Sequence, residues 1–392
     1  MPKRVAIVGI GQTKCGFNDD GFSYRELLYL ATKQALSEAG IQREDIDSAF
    51  TTSYDFLEGR SLSNQYSLDS IGGVMKPCDL RLGEDGIYAI FAGYMEVMSK
   101  PGQIVVVASV QKASDRRPDA DPAITLSTLE PVYVRQVFAN LPAIAGLEYC
   151  LAAMEARRYM HCYGITEAHI AKVAVKNHNN ATRNPLAQNG GKVTLDDVLN
   201  SEMLSWPLRS LEVAKPGDGA CTLVLASEEM AAELSDSPVW IRGIGWCSDT
   251  CYPAASELAK TKFIYTAARQ AYAMAGIRHP AREIDLAEVY DNYAFNELQY
   301  CEALGLCGEG EGGRFIDEGI SEIGGSIPVN PSGGLLGQGN PLGTAGLMRV
   351  AQAALQLRGE AGDCQIADAE VAVAQGRGVP YRSGGVVVLS KW

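Results

Sequence analysis

Residues 327–343 read Ile-Pro-Val-Asn-Pro-Ser-Gly-Gly-Leu-Leu-Gly-Gln-Gly-Asn-Pro-Leu-Gly, the strongest chemical signal in the chain. Five glycines, at 333, 334, 337, 339 and 343, crowd one loop. That density permits tight turns and lets backbone approach a ligand with no Cβ in the way. Residues 347–357 then turn helical in periodicity, so the loop's N–H groups are expected at a helix N-terminus, free to donate. Ser332, Gly333, Gly334 and Gly339 are the candidate ligand-binding positions. Asn340, beside them, either satisfies its own loop or donates to a developing oxyanion.

Two further groups could move protons. Tyr290 heads the run Tyr-Asp-Asn-Tyr after an apolar stretch, and Glu84 and Asp85 precede a helical segment at 86–99. Carboxylates in a helix's first turn gain about 0.3–1 kcal/mol from the dipole, which is the bland reading of both. The sharper reading has Glu84 projecting into a cavity as a general base. Thiol chemistry would need a cysteine at a helix N-terminus, where the thiolate is favoured. The ten cysteines are scattered without a Cys-x-x-Cys pair, and only four histidines accompany them, so no metal site is expected.

The elements that hold these residues come from an internal repeat. Residues 31–41 (Ala-Thr-Lys-Gln-Ala-Leu-Ser-Glu-Ala-Gly-Ile) match residues 267–277 (Ala-Ala-Arg-Gln-Ala-Tyr-Ala-Met-Ala-Gly-Ile). Each copy reads as an amphipathic helix stopped by a glycine, Gly40 or Gly276, then a turn and a buried strand. Helix 86–99 with strand 104–110 parallels helix 344–357 with strand 371–374, and 386–390 adds a further strand. Runs of Val and Ile without polar alternation suit a sheet buried on both faces. We divide the chain into an N-terminal half (1–114), an inserted region of that half (115–235) and a C-terminal half (236–392). Two copies of one α/β unit are implied.

Composition narrows the function classes. With 392 residues the chain can bury a large core, and 46% hydrophobic with 21% charged residues is ordinary for a globular protein. A net charge of −13 argues against nucleic acid and anionic membranes as partners. No apolar run approaches the ~18 residues of a membrane span, and residues 5–10 read as a first strand rather than a secretory segment. Unpaired cysteines suggest a reducing, cytoplasmic setting. Gly9-Ile-Gly11 after a strand matches part of a dinucleotide fingerprint, but Lys14 holds the third glycine's position, so the match is weak.

The chain resembles the thiolase superfamily along essentially its whole length, most of all archaeal and sterol-carrier-type thiolases. The resemblance is carried by Asn330-Pro-Ser-Gly-Gly334 and Gly339-Asn340-Pro341, and by residues 5–13 and 175–179. Asn184-Pro185, residues 207–211 and residues 217–220 add to it. It implies the thiolase fold, an α/β protein of duplicated doubly wound halves in an α/β/α/β/α layered sandwich. It also implies an enzyme acting on a coenzyme A thioester, with no tightly bound cofactor. The family's nucleophilic cysteine lies in a turn that corresponds to Leu82-Gly83-Glu84-Asp85-Gly86, where Gly83 takes its place. The catalytic histidines correspond to Tyr290 and Asn340, and a late His-Asn or Cys element falls at Gln375-Gly376.

These losses direct the expectation to making or breaking a Cα–Cβ bond without cysteine, as an aldolase does. Retro-aldol cleavage of a β-hydroxyacyl-CoA needs a base for the hydroxyl and donors for the thioester enolate. Tyr290, Asn340 and Glu84 are the candidate catalytic residues. Thiolase-like aldolases are similar in replacing the first histidine by tyrosine, and differ in having tyrosine where this chain has Asn340. One alternative is a thiolase or acyltransferase with Cys78 as displaced nucleophile, and another is a silent subunit of a complex. The resemblance further implies a homodimer, or a heterodimer with a thiolase-fold paralogue, paired through edge strands. It also implies a small OB-fold/zinc-ribbon partner, whose basic surface would offset the chain's negative field at the pocket mouth.

Overall fold

A computed structural model describes residues 4–16, 21–55, 64–76, 78–100, 103–115, 147–188, 190–250, 255–378 and 382–392. The strands are β1 (Val5–Gln12), β2 (Ser48–Thr52), β3 (Cys78–Leu82), β4 (Ile104–Gln111), β5 (Met203–Ser205), β6 (Leu208–Arg209), β7 (Gly219–Ser227), β8 (Val239–Ser248), β9 (Leu286–Glu288), β10 (Val371–Gly378) and β11 (Ser383–Ser390). The longer helices are α1 (Tyr24–Glu38), α2 (Asn64–Ile71), α3 (Ile87–Ser99), α4 (Leu147–Tyr163), α5 (Glu167–Ala181), α6 (Lys262–Ala275), α7 (Ala294–Ala303) and α8 (Ala345–Arg358).

Strand order shows the duplication directly. The hydrogen-bonded series β3-β2-β4-β7-β1-β8-β11-β10-β9 is two half-sheets joined where β1 meets β8, at Ala6↔Trp240 and Ile7↔Val239. Outward from that seam, β1-β7-β4-β2 on one side corresponds to β8-β11-β10-β9 on the other. The position of β3 is echoed by Val329, which bridges in parallel to Ala287 on β9. β7 lies inside the region expected as an insertion at 115–235. It is the closing strand of the first half, the counterpart of β11, so the inserted part ends before Gly219.

Alternation along each strand explains the layers. Val105, Val107, Leu223 and Leu225 join Ala372, Ala374, Val387 and Leu389 in one core with α3 and α8. Their neighbours Val106, Ala108, Val224 and Ala226 face the other way, into a core with α1. Val373, Val386 and Val388 likewise turn to a third core with α6. Side chains of a strand point alternately to opposite faces, so both half-sheets are covered twice. The result is α1, half-sheet, α3 with α8, half-sheet, α6, and the layered α/β/α/β/α architecture holds.

The Gly9/Gly11 pair has a packing role. A Cβ at Gly9 or Gly11 would overlap the carbonyl oxygens of Ala35 or Ala31 on α1. In the second half, Gly243 and Gly245 stand in the same way against Ala271 and Ala267 on α6. Both pairs let a helix lie directly on its strand, a close approach that only glycine allows. Replacing Gly11 or Gly243 by alanine is therefore expected to cost about 1–3 kcal/mol of stability by overpacking, and by similar amounts. Urea denaturation of both variants measures this, and a loss at one site only would break the equivalence of the halves.

Candidate active site

The duplication sets two helix N-termini face to face. α3 follows β3 through Gly83–Gly86, and α8 follows Val329 through the glycine-rich loop. Between them lies Asp85, fully buried, whose carboxylate accepts the Ile87 N–H of α3 at 3.0 Å and the Gly346 N–H of α8 at 2.9 Å. Gly86 N–H donates to Gly343 O at 2.6 Å, closing the junction. Side chains at Gly346 and Gly376 would overlap this carboxylate, so both positions need glycine. Burial pushes the Asp85 acid up to about 8, against N–H donors that favour its charge.

On the open side of this junction stands Glu84. It is half-buried, and the Tyr54 hydroxyl donates to its Oε2 at 3.3 Å. Burial raises its acid above the usual range, with the Tyr54 bond opposing. Gly83 is exposed, and a Cβ there would meet no atom within 4 Å among the described residues. Gly83 is thus an open, exposed position next in sequence to Glu84. Tyr54, whose N–H is held by Gln111 Oε1 at 3.3 Å, went unnoticed in the sequence, where nothing distinguishes it.

Across the loop sits Tyr290, fully buried after β9, its N–H held by Gln375 Oε1 at 2.9 Å. The phenol lies 3.5 Å from both Asn340 Oδ1 and Leu342 O, distances too long for strong bonds. Its proton is therefore available to a ligand oxygen. Burial, with the nearby Asp85 charge, holds the phenol well above its ordinary range, so it is an acid and not a phenolate. Asn340 donates through Nδ2 to Asn292 Oδ1 at 2.6 Å, and the second Nδ2 hydrogen has no acceptor among the described residues. Leu342 adopts a φ of 30°, a strained conformation for a side chain this size, at the point where the loop passes between Tyr54 and Tyr290.

The remaining loop residues face inward. Ser332 is buried, donating to Glu288 Oε2 at 2.7 Å and accepting from Arg349 Nη1 at 2.9 Å. Arg349 also binds Glu288 at 2.6 Å and Gln338, all inside the protein. Gly333 lies against Ala181, Gly334 against the Asp291 carboxylate, and Gly339 against Cys15 and Gln188. Asp291 accepts Leu335 N–H at 2.5 Å and Asn177 Nδ2 at 2.7 Å, and burial raises its acid to about 7. The structure therefore brings Glu84, Tyr290 and Asn340 to the two sides of one loop. Ser332, Gly333 and Gly334, in the same loop, lie against Glu288, Ala181 and Asp291.

Other candidates fall away from the junction. Cys78 begins β3, about 13 Å of extended strand before Leu82, so it sits at the far end from the α3 N-terminus. Burial raises the thiols of Cys15, Cys221 and Cys301. His178 is buried with Nε2 3.0 Å from Leu211 O, a structural contact. Tyr293 and Phe295 stack at 5.9 Å where α7 begins. Among the described residues no His, Cys, Asp and Glu cluster could hold a metal ion, and no helix is long and apolar enough to cross a membrane.

A protein built this way, with two thiolase-type halves and a site at their paired helix ends, belongs to a definite class. Residues 5–193 match the thiolase N-terminal domain family and residues 248–391 the thiolase C-terminal domain-like family. The chain is 34% identical to an acetyl-CoA acetyltransferase of Methanothermobacter thermautotrophicus over 99% of both sequences. It is 30% identical to sterol carrier protein 2 of Homo sapiens, over 99% of this chain and 71% of that protein. Among solved structures it is similar to the Ltp2-ChsH2(DUF35) aldolase, with a TM-score of 0.84 and 26% identity over 99% of this chain and 98% of that one. The chain belongs to the thiolase superfamily and is an acyl-CoA enzyme of that superfamily.

The raised Asp85 acid has a stability signature. The folded protein holds this proton more tightly than the unfolded chain, whose aspartate titrates near 3.9. Its contribution to stability is therefore full below about pH 4 and lost progressively as pH rises to about 8. Asp85→Asn, which imitates the acid form, is expected to lose less stability than the parent protein between these limits. Urea unfolding of both at mildly acidic and mildly alkaline pH is the measurement, and identical slopes would show that Asp85 is ionised throughout.

Proposed function

We propose that this protein cleaves, or in reverse forms, the Cα–Cβ bond of a β-hydroxyacyl-CoA by an aldol route that uses no cysteine. The observation that carries the reading is the pair of groups at the junction. Gly83 is open and precedes the half-buried Glu84, and a proton-bearing phenol stands at Tyr290 across the loop. Glu84 takes the proton of the β-hydroxyl, and its oxygen becomes a carbonyl as the Cα–Cβ bond breaks. The electron pair passes to the thioester as an enolate, whose oxygen receives hydrogen bonds from the Tyr290 phenol and the free N–H of Asn340. Protonation at Cα releases the shortened acyl-CoA.

The aldolase among the similar structures supports this reading. The acetyltransferase relative supports a second, in which an acyl group is transferred between thioesters. That chemistry needs a thiol near a helix N-terminus. The bare backbone of Gly83 and the remote start of β3 favour the aldol route. The glycine-rich loop acts in it by shape, with Asn340 held by Asn292 Oδ1 and Lys215 O.

Steady-state kinetics with a β-hydroxyacyl-CoA test the assignment. Tyr290→Phe and Glu84→Gln are expected to lower kcat about 100-fold or more, and Asn340→Ala somewhat less. Cys78→Ala is expected to keep full activity. Because burial raises Glu84, kcat/KM should climb with pH through a value above the ordinary glutamate range, and that limb should vanish in Glu84→Gln. Thiol alkylation at Cys78 that abolishes turnover would return the protein to the thiolase mechanism.

The same reading extends to assembly. The similar aldolase structure is named with a ChsH2(DUF35) component, and this chain's charge of −13 repels a polyanionic CoA. A small basic partner at the pocket mouth, of the OB-fold/zinc-ribbon kind, would offset that field. Co-purification from the native host should yield this partner together with zinc. A zinc-free homodimer with full activity would exclude it.

A further inference from the structure

β10 carries a second charged group into the neighbourhood of Tyr290. Gly376 and Gly378 face Asp85 and Glu84 on one side of the strand. Gln375 and Arg377 therefore share the opposite side, about 7 Å apart. Gln375 holds the Tyr290 backbone, and the Arg377 charge acts on the Tyr290 phenol, drawing its titration down against burial. Arg377 thus follows, two residues along β10, the side chain that holds the Tyr290 backbone, on the side walled by α4 and α7.

Its internal partners leave it incompletely used. Arg377 Nη1 donates to the Tyr300 hydroxyl at 3.1 Å and to Asn296 Oδ1 at 3.4 Å, both on α7. Nη2 is 3.8 Å from Glu155 Oε2, beyond hydrogen-bond range. The other oxygen of Glu155 is held by Arg382 at 3.0 Å, and Arg382 also pairs with Asp249 at 3.4 Å and donates to Lys260 O at 2.9 Å. Arg382 thus takes two carboxylates at close range, and Arg377 shares one of them in a longer ion pair. Among the described residues no acceptor takes the Nε or Nη2 hydrogens of Arg377, although its side chain is only 14% exposed. A buried guanidinium presents a planar fork of donors that matches a carboxylate in two parallel bonds.

We infer that Arg377 receives a carboxylate carried on the acyl part of the substrate, so that the preferred thioester is a dicarboxylic acid joined to CoA at one end. This rests on the aldol reading for the position of the acyl chain but concerns binding alone. The acyl group runs past Tyr290, and its free carboxylate ends on the Nε–Nη2 edge of Arg377. Asn296 and Tyr300 fix the guanidinium plane.

The test is calorimetry with two six-carbon 3-hydroxyacyl-CoA ligands, one ending in a carboxylate and the other in a methyl group. Performed on the protein with any partner that co-purifies, it is expected to give at least about tenfold tighter binding of the charged ligand. In Arg377→Met that ratio should collapse towards one, and in Arg377→Lys it should fall to an intermediate value, because an ammonium keeps charge but not the fork. Equal affinities in the unaltered protein would overturn the inference without any variant, as would a ratio that survives in Arg377→Met. Turnover is read separately. If the neutral ligand binds but neither ligand is cleaved, the aldol reading fails while the carboxylate preference is still measured.

Discussion

The contact on which the rest of this structure depends is the Asp85 carboxylate shared between the N-terminal ends of α3 and α8. Each helix comes from one half of the duplication, and each end presents N–H groups that its own helix cannot satisfy. One buried acid bonds to both. Gly346 and Gly376 make room for it, and the Gly86–Gly343 backbone bond locks the approach. The glycine-rich loop then crosses between Tyr54 and Tyr290, with Leu342 at a positive φ. Fold and site are held by the same few atoms.

The repeat that was legible in the sequence accounts for most of the architecture. The matched helices α1 and α6, with their terminating glycines, mark two equivalent units. The Val-rich runs mark strands covered on both faces. A weak local likeness also has its explanation. Gly9-Ile-Gly11 resembles a phosphate-binding turn because both uses of glycine answer the same need, close approach of backbone, and only the second pair at 243 and 245 reveals that a helix is what approaches. The closing strand β7 was not legible as a member of the repeat, since its counterpart β11 follows a very different stretch of chain.

Within the site, residue type was legible and direction was not. Tyr290, Asn340 and Glu84 stand out by their place in motifs whose usual members are missing, and the structure sets them around one loop. Ser332 and its neighbouring glycines stand out equally, yet they face Glu288, Asp291 and Arg349 inside the protein. A glycine-rich loop can receive a ligand or pack against buried acids, and the letters are the same in both cases. Tyr54 and Arg377 carry no motif at all. Their places are set by sheet register and strand alternation, which depend on pairings tens of residues apart.

The seam between the half-sheets bears on how the chain is made. Of the strands in this sheet β1 is made first, but its neighbours are β7 and β8, which end at Ser227 and Ser248. Over that interval an apolar ribbon with both edges unpaired must wait, while β2, β3 and β4 can already assemble in parallel beside it. Long-range pairing of this kind is slow and exposes sticky edges. Nascent chains of this protein are therefore natural clients for chaperones that shield β1 until β7 and β8 have emerged.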